Sequence, residues 1–437
     1  MAKKHIVGIA TVALVLAACG GDNSSNEAST GDGDSEGSIS GDLTVLTHRT
    51  DIVDTVLEDY KERFGELYPD VNIRFEAITE YEGDVSIRLN TEEYGDVLMI
   101  PAAVTRDQLP DFFEPLGTVE ELGEKYRFVE EQAYEGDVYG ISITGNANGY
   151  VVNKRVWEEA GITEPPATPD EFLDALRAIE ANTDAIPYYT NYGDGWPLGQ
   201  IRGNMGVLTG PEVENNMAHM DEPWTEGEDI NLLDSLVYDI VAEGLSENDP
   251  TTTNWEESKN LLGTGDIATM MLGSWAIIQM QDAAENVGAS RDDIGYWPFP
   301  LQTDGTFRSR IGGDYKMAIN KHSEHKEAAR AWIDWYTEES GFATDQGGVS
   351  VLVDGELPDT LSDFDPLDVE FFELAPRPEG EERLFSDIHN TAEIDLDGWL
   401  YNQRLIDIAR GAADGDKESY FAELNNRWAD ARAQVGD

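Results

Sequence analysis

The chain has 437 residues, 40% of them hydrophobic, so it can bury a large core and is long enough for two lobes or domains. Its 29 lysine and arginine residues face 88 aspartate and glutamate residues, which gives a formal net charge of -59. Such a surface repels nucleic acid and anionic lipid, so neither is expected as an electrostatic partner. The single cysteine excludes an intramolecular disulfide.

The first segment has the pattern of a secretory leader. Lys3 and Lys4 precede an apolar run from Ile6 to Leu16, which is too short to cross a bilayer as a helix. We therefore expect residues 1–18 to be removed as a signal peptide. Their removal would make the mature chain two charges more negative.

The leader ends in a short motif around the cysteine. The run Leu16-Ala17-Ala18-Cys19 resembles the lipobox of bacterial lipoproteins, in which the cysteine sulfur is acylated and becomes the new N-terminus. The resemblance implies that Cys19 is lipidated and holds the protein at the outer face of the bacterial cell membrane. A secreted protein with an incidental cysteine is the alternative. Residues 20–41 are rich in Gly, Ser, Asp and Asn, so residues 19–41 are predicted to form the lipidated cysteine and a flexible acidic tether.

Strand-like and helix-like segments alternate after the tether, which predicts the α/β class. The apolar run 43–46 predicts a strand, and the apolar face of residues 52–67 predicts a helix that ends before Pro69. Alternating apolar residues over 71–75 and a buried run over 96–100 predict two further strands.

Two later helices are predicted from their caps and spacing. Thr168 and Glu171 have the pattern of a capping box around Pro169, which suits the first turn of a helix. In the second helix the helical spacing places Trp332 and Trp335 in the core or at a lobe face rather than against a ligand.

Several later segments carry a family resemblance. They are residues 146–154 (NANGYVVNK), 265–275 (GDIATMMLGSW), 297–300 (WPFP), 312–314 (GGD) and 421–428 (FAELNNRW). In this order, behind the lipobox, they resemble extracellular solute-binding proteins of family 1. These are the maltose-binding-protein-like receptors of carbohydrate ABC importers.

The resemblance implies a two-lobed α/β periplasmic-binding-protein fold of type II, with hinge strands and a ligand cleft between the lobes. It places the crossings between lobes near residues 146–153, 312–318 and 349–354. Lobe one would comprise residues 42–148 and 314–352, and lobe two residues 149–313 and 353–437. The implied function is to bind a sugar or oligosaccharide and deliver it to the permease subunits of the importer. We expect a monomer without a cofactor.

A sugar presents apolar C–H faces and hydroxyl groups, so its site requires aromatic planes and planar hydrogen-bonding groups. The family order implies that Trp275 stacks on the sugar and that Trp399 also faces the cleft, with core packing as the alternative for both. Trp196 lies in a glycine-rich loop where full burial is less expected, and Trp255 is a further candidate. Trp157 is expected to be structural.

Polar candidates follow the first predicted strand and occupy the predicted hinge. Arg49 and Asp51 lie at the carboxyl end of that strand, where ligands of open α/β sheets bind, and can contact vicinal hydroxyls. A solvated loop or helix cap is their alternative. The remaining candidates are Tyr81, Glu82, Asn146, Asn148, Asn191 and Asp314. Gly312 and Gly313 would let the backbone approach the ligand.

The sequence has no recognisable catalytic pattern. Carboxylate pairs arise by chance among 88 acidic residues, and the sequence contains no nucleophile-elbow, zinc-helix or phosphate-loop motif. The acidic runs 32–34 and 414–416 are too short for a calcium loop, and the histidines are scattered. We therefore expect neither an enzyme nor a metal site. A secreted carbohydrate-active lyase or hydrolase, and a receptor for another polar solute such as a polyol, are the alternatives.

Overall fold

The computed structural model describes residues 39–50, 52–396 and 398–436. The predicted signal peptide, Cys19 and most of the predicted tether lie outside the described residues, and so does Asp51. Helices and strands alternate along the described chain, which confirms the predicted α/β class.

Twelve strands are present in the described residues. They are β1 (Gly41–Thr47), β2 (Val71–Ala77), β3 (Val97–Met99), β4 (Gly117–Thr118), β5 (Ala133–Tyr134), β6 (Asp137–Val138), β7 (Ile141–Asn153), β8 (Thr269–Gly273), β9 (Ile294–Pro298), β10 (Gln302–Thr303), β11 (Thr306–Ile319) and β12 (Glu370–Phe372).

Fifteen α-helices are present in the same described residues. They are α1 (Val56–Leu67), α2 (Tyr81–Arg88), α3 (Leu109–Phe112), α4 (Val119–Gly123), α5 (Lys154–Glu159), α6 (Pro169–Asn182), α7 (Val213–Ala218), α8 (Asp229–Ala242), α9 (Trp255–Thr264), α10 (Ala276–Asn286), α11 (Lys326–Glu338), α12 (Phe342–Asp345), α13 (Leu384–Thr391), α14 (Leu400–Ala409) and α15 (Lys417–Val435). A 3₁₀ helix covers Trp196–Asn204.

One nine-stranded sheet organises the described chain. Its main path runs β2, β1, β3, β11, β7, β8, while β10 and β12 pair with β11, and β9 pairs with β7. Strand β1 is parallel to β2 and β3, whereas β11 is antiparallel to both β3 and β7. The short strands β4, β6 and β5 form a separate antiparallel sheet.

Strands β7 and β11 are the longest, with 13 and 14 residues. The first half of β7, residues 141–147, pairs with β11, and its second half, residues 148–153, pairs with β8 and β9. The first two predicted crossings, at residues 146–153 and 312–318, therefore fall within these two long strands. The lobe boundaries themselves stay a prediction.

The buried side chains form two clusters. The first surrounds β1, β2, β3 and α11 and includes Phe64 and Trp332, and the second includes Trp157, Phe172 and Trp428. The predictions that Trp157 and Trp332 are structural are thus confirmed, because both side chains are fully buried. Trp335 is also buried in the first cluster.

The start of α6 differs from the sequence prediction in one detail. Thr168 Oγ1 accepts a hydrogen bond from the Glu171 backbone N–H at 3.2 Å, as expected for a cap. The Glu171 carboxylate, however, accepts from the Ala167 N–H at 2.8 Å rather than from Thr168. The predicted reciprocal capping box is therefore wrong, although the helix begins at Pro169 as expected.

Candidate ligand-binding site

The hinge amides and one carboxylate meet where β7 and β11 run side by side. Asn146 pairs with Gly312 in the ladder, and its Nδ2 donates to Asp314 Oδ2 at 3.1 Å. Asn148 Nδ2 donates to the Arg310 carbonyl oxygen at 2.9 Å. These bonds fix planar polar groups on the surface of two rigid strands, where they can face a ligand.

A cavity of about 970 Å³ lies over these strands. Its floor includes Asn146, Asn148, Gly312, Gly313, Asp314 and Arg310. One wall comes from the end of β1 and from α12, with His48, Arg49, Phe342 and Gln346. The other wall contains Gln200, Gly203, Trp275, Ile278, Gln279 and Asp282. A concave site of this size with convergent polar groups is typical of small-molecule binding.

Asp314 is the most deeply placed carboxylate of the floor. Burial raises the pKa of Asp314 above its ordinary value, and the hydrogen bond from Asn146 opposes this shift. Its other oxygen, Oδ1, accepts from the Tyr315 N–H at 3.0 Å. The carboxylate is therefore held in one orientation by two donors.

Trp275 forms part of the cavity wall and belongs to a group of three tryptophans. Its ring centroid lies 5.8 Å from that of Trp196 and 5.7 Å from that of Trp255, and the rings of Trp196 and Trp255 are 5.0 Å apart. Ser274 fixes the start of this segment, because its Oγ accepts from the Ala147 N–H at 3.0 Å. The three side chains are half-buried, and Trp275 is the member of the group that lines the cavity.

Gly273 is needed immediately before this tryptophan. A Cβ at Gly273 would lie 2.7 Å from the Trp275 ring, so any larger residue would displace the indole from its position. This close approach explains the Gly-Ser-Trp sequence at the end of β8.

Trp399 lies outside the lining of the cavity. Its side chain is 38% exposed, and its indole packs against Gly195, where an added Cβ would lie 2.2 Å from Nε1. Trp399 is thus adjacent to the loop that carries Trp196, but it is not among the residues that line the cavity. Its predicted role in ligand binding stays a prediction.

Arg49 and His48 extend from the end of β1 into the cavity wall. Arg49 Nη1 donates to Gln346 Oε1 at 2.8 Å, which joins the strand end to α12. The His48 ring stacks on Tyr315 with a centroid distance of 3.7 Å and an interplanar angle of 17°. The cavity lining therefore has an arginine and a stacked His48–Tyr315 pair in addition to the Trp275 ring.

Six predicted site residues of the described chain do not line this cavity, namely Trp196, Trp255, Trp399, Tyr81, Glu82 and Asn191. The Tyr81 hydroxyl donates to the Met99 carbonyl oxygen at 3.1 Å and accepts from the Met99 N–H at 2.7 Å, so the side chain ties α2 to β3. Glu82 accepts from the Ala102 N–H. Asn191 is fully buried and its Nδ2 contacts the Met270 sulfur at 3.1 Å. Tyr81, Glu82 and Asn191 therefore stabilise the fold at these positions.

The sequence analysis missed several lining residues, namely Gln200, Gln279, Asp282, Arg310, Tyr315 and Gln346. Arg310 and Tyr315 carried a usable signal, because they flank the Gly-Gly-Asp segment on the same strand. The glutamines carried none, because each lies in a separate helical segment that only the tertiary fold brings to the cavity.

No metal or membrane feature appears in the described part of the chain. Within residues 39–50, 52–396 and 398–436, no three His, Cys, Asp or Glu side chains are grouped so that they could hold a metal ion. Across the same ranges, no helix has both the length and the apolar character needed to cross a membrane.

Comparison with known proteins assigns the sequence to a family. The profile described as bacterial extracellular solute-binding protein matches residues 49–341. The diacetylchitobiose binding protein of Streptomyces coelicolor is 28% identical over 339 residues, which are 75% of this chain and 76% of that protein.

Solved structures agree with this assignment. A manno-oligosaccharide-specific solute-binding protein of Bifidobacterium animalis subsp. lactis, in complex with mannotriose, has a TM-score of 0.81 and 32% identity, covering 91% of this chain and 95% of its own. A binding protein of an ABC transporter from the same organism, in complex with mannobiose, has a TM-score of 0.81 and 33% identity over the same shares.

A more distant structure supports the fold alone. The apo form of RafE from Streptococcus pneumoniae has a TM-score of 0.66 at 17% identity, covering 91% of this chain and 99% of that one. The fold is therefore the mixed α/β fold of periplasmic binding proteins, as predicted. The chain belongs to the bacterial extracellular solute-binding protein family, a family of binding proteins, which confirms the prediction that it is not an enzyme.

Proposed function

We propose that the protein binds an oligosaccharide in the cavity over β7 and β11 and delivers it to an ABC importer. The observation that carries this proposal is the combination, in one cavity, of the Trp275 ring with amide, guanidinium and carboxylate groups held on adjacent strands. Two relatives with bound manno-oligosaccharides, one of them from an ABC transporter, support the same ligand class.

The chemistry of the cavity suits an uncharged sugar. The apolar C–H face of a pyranose can pack on Trp275, while its hydroxyls can donate to Asp314 and accept from Arg49 or the floor amides. The lining contains Arg49 and Arg310 as well as Asp282 and Asp314, so the two charge signs balance. A neutral polyhydroxylated ligand therefore finds hydrogen-bond partners in a cavity whose lining charges balance.

Isothermal titration with manno- and chito-oligosaccharides tests the proposal, with Trp275→Ala as the diagnostic variant. Removing the indole should weaken binding about 10- to 100-fold, because the apolar area buried by the sugar face is lost. The comparison variant is Leu67→Ala, whose exposed side chain on α1 is not in the cavity and whose loss should leave affinity close to that of the wild type. Wild-type affinity in Trp275→Ala would contradict the stacking role.

We also propose that binding closes two lobes around the ligand. With the predicted boundaries, His48 and Gln346 come from lobe one, and Gln200 and Trp275 come from lobe two. A ligand that contacts both walls binds the closed state better and shifts the equilibrium toward it. The radius of gyration, measured by small-angle X-ray scattering in the same titration, should then fall.

Attachment through a lipid on Cys19 is the remaining part of the proposal. The lipobox-like sequence supports it, and the strongly acidic chain makes electrostatic attachment to anionic lipid unfavourable. Expression of Cys19→Ser in a bacterial host should move the protein from the membrane fraction to the medium or periplasm. Unchanged membrane association would contradict the anchor.

A further inference from the structure

A second cavity of about 430 Å³ adjoins the first. It lies between α9 and α10, and we call it the α9–α10 groove; its polar lining includes Glu256, Lys259, Asn260, Gln279, Asp282 and Asn286. Gln279 and Asp282 line both the main cavity and this groove. The two spaces therefore meet at one face of α10, and a ligand in the first can extend into the second.

Helical spacing gives the groove two facing polar edges. On α10, Gln279, Asp282 and Asn286 follow one another at intervals of three and four residues and so share a face. On α9, Glu256 and Asn260 are four residues apart and share another face. The buried sides of both helices carry the apolar residues that pack them together.

Glu256, Lys259 and Asp282 of the groove form ion pairs, and Asn254 caps α9, whereas the other three amides of the lining have no such partner. Lys259 Nζ lies 2.7 Å from Glu256 Oε2, and Asp282 is paired with Arg291. The side-chain amides of Asn260, Gln279 and Asn286 make no hydrogen bond to any residue in the described ranges. Each amide offers an acceptor and two donors, the groups that sugar hydroxyls require.

A third cavity differs from the groove in how its polar groups are paired. That cavity, of about 530 Å³, lies beside the start of β1 and is also polar. Its amide, Asn320, donates to the carbonyl oxygens of Glu92 and Gly95, and its Asp96 accepts from Ser323. The polar groups there stabilise the fold, and the third cavity shares no lining residue with the main cavity.

A second tryptophan, Trp255, lies near the junction of the main cavity and the groove, although its side chain lines neither space. The Trp255 ring lies 5.7 Å from the Trp275 ring, and the Lys259 ammonium lies 5.3 Å from the centre of the Trp255 ring. Trp275 is therefore the aromatic face that a sugar ring in the main cavity can reach. Sugar rings pack on such aromatic faces while their hydroxyls reach polar neighbours.

We propose that the α9–α10 groove is a subsite for the outer units of neutral oligosaccharides that are longer than the main cavity holds. This inference rests on the proposed function. Glu256, Glu257 and Asp282 outnumber Lys259 in the lining, so uronic acids are disfavoured there. The subsite thus disfavours anionic chains by charge and discriminates among neutral chains by length.

The test compares chain-length dependence in two variants. Asn260→Ala/Asn286→Ala removes two amides that line the groove but not the main cavity. Asn426→Ala is the matched control, an exposed amide on α15 that lines neither space. Affinities are measured by titration calorimetry for manno- and chito-oligosaccharide ladders from the disaccharide to the hexasaccharide. A disaccharide titration of each variant also reports whether the main cavity is intact.

In the wild type and in Asn426→Ala, affinity should rise with chain length. In the double variant the disaccharide should bind as before, while the longest ligands should bind about tenfold more weakly, as expected for two lost hydrogen bonds. Wild-type affinity of the double variant for the hexasaccharide would overturn the subsite, and so would an equal loss for every chain length. Binding of no ladder member to the wild type would instead overturn the proposed function, and the subsite with it.

Discussion

At the scale of single residues, the cavity floor depends on a strained backbone. Tyr315 has a φ of +33°, in the left-handed region that residues with a side chain seldom adopt. Asp314 and Tyr315 both line the cavity, although neighbouring residues of a strand normally point to opposite faces. The unusual conformation brings a carboxylate and an aromatic ring to one site, and such strain is characteristic of functional positions.

The two glycines before Asp314 have different structural requirements. An added Cβ on Gly313 would lie 2.0 Å from Ser142 Oγ, 2.9 Å from Ser142 Cβ and 3.1 Å from Phe128 Cβ. An added Cβ on Gly312 would meet only Glu131 Oε1, at 3.5 Å. The sequence pattern does not distinguish these two glycines, whereas the packing leaves room for a Cβ at Gly312 and not at Gly313.

Gly313→Ala should therefore destabilise the protein by about 1–3 kcal/mol, because the methyl group forces two neighbouring side chains to move. Gly312→Ala, the control on the same strand, should change stability by less than about 0.5 kcal/mol or raise it slightly, since alanine is favoured over glycine in a strand. Denaturant unfolding of the two variants measures the difference. Equal stabilities would show that the Ser142 side of β11 can accommodate the methyl group freely.

The candidate residues show what sequence can predict at this scale. The family resemblance implied that Trp275 faces the ligand, and its ring lies in the cavity wall. Tyr81 could not be assigned in the same way, because both hydrogen bonds of its hydroxyl go to the Met99 backbone. A backbone partner 18 residues away is a consequence of strand packing, and no local pattern reveals it.

At the scale of elements, the loop that carries Trp196 is attached to a buried carboxylate. Glu247 lies in the segment between α8 and α9, and its carboxylate accepts hydrogen bonds from the Thr190 N–H at 3.0 Å and from the Thr190 hydroxyl. Burial raises the pKa of Glu247 to about 7, and the bonds from Thr190 oppose this shift. The start of the tryptophan loop is therefore coupled to a group that titrates near neutral pH.

The pH dependence of stability follows from the direction of this shift. Because the folded pKa of Glu247 is raised, its contribution to stability is full below about pH 4.3, the ordinary value for the unfolded chain, and is lost as pH rises through about 7. Between these values the folded state holds a proton that the unfolded state has released. Stability should thus fall with rising pH over this window, by up to about 3 kcal/mol from this group.

Glu247→Gln should remove that part of the pH dependence. The free energy of unfolding of the variant should rise relative to that of the wild type between about pH 4.3 and pH 7. Above about pH 7 the difference between the two proteins should stay constant. Glu226→Gln, which removes one exposed carboxylate, is the control for the change in formal charge. The test is the free energy of unfolding, measured by urea titration at several pH values. Parallel pH curves for the wild type and Glu247→Gln would contradict the coupling.

The sequence predicts the order of the elements better than it predicts their contacts. The α/β alternation follows from the apolar runs, whereas the positions of the two long crossing strands were implied by the family resemblance. The sequence does not predict that Gln200 and Gln346 line the same cavity, because they lie in separate segments far apart in the chain. Their meeting depends on how β7 and β11 join the sheet, which is a property of the whole fold.

At the scale of the whole molecule, the acidity exceeds what ion pairing can neutralise. A few arginines contact two carboxylates, as Arg177 does with Asp174 and Glu243. With 88 acidic and 29 basic residues, most carboxylates are nevertheless left without a basic partner. Their mutual repulsion is stronger in the folded state than in the expanded unfolded chain, so it reduces stability.

Salt should therefore stabilise this protein at low concentrations. The Debye length falls from about 30 Å at 0.01 M to about 8 Å at 0.15 M, so repulsion between separated surface carboxylates is screened within that range. We expect most of the rise in melting temperature to occur below about 0.2 M NaCl. Sucrose at matched osmolality is the control, since an uncharged solute does not screen. A melting temperature that stays constant below 0.2 M and rises only at molar salt would indicate that ion exclusion from the surface, rather than screened repulsion, stabilises the fold.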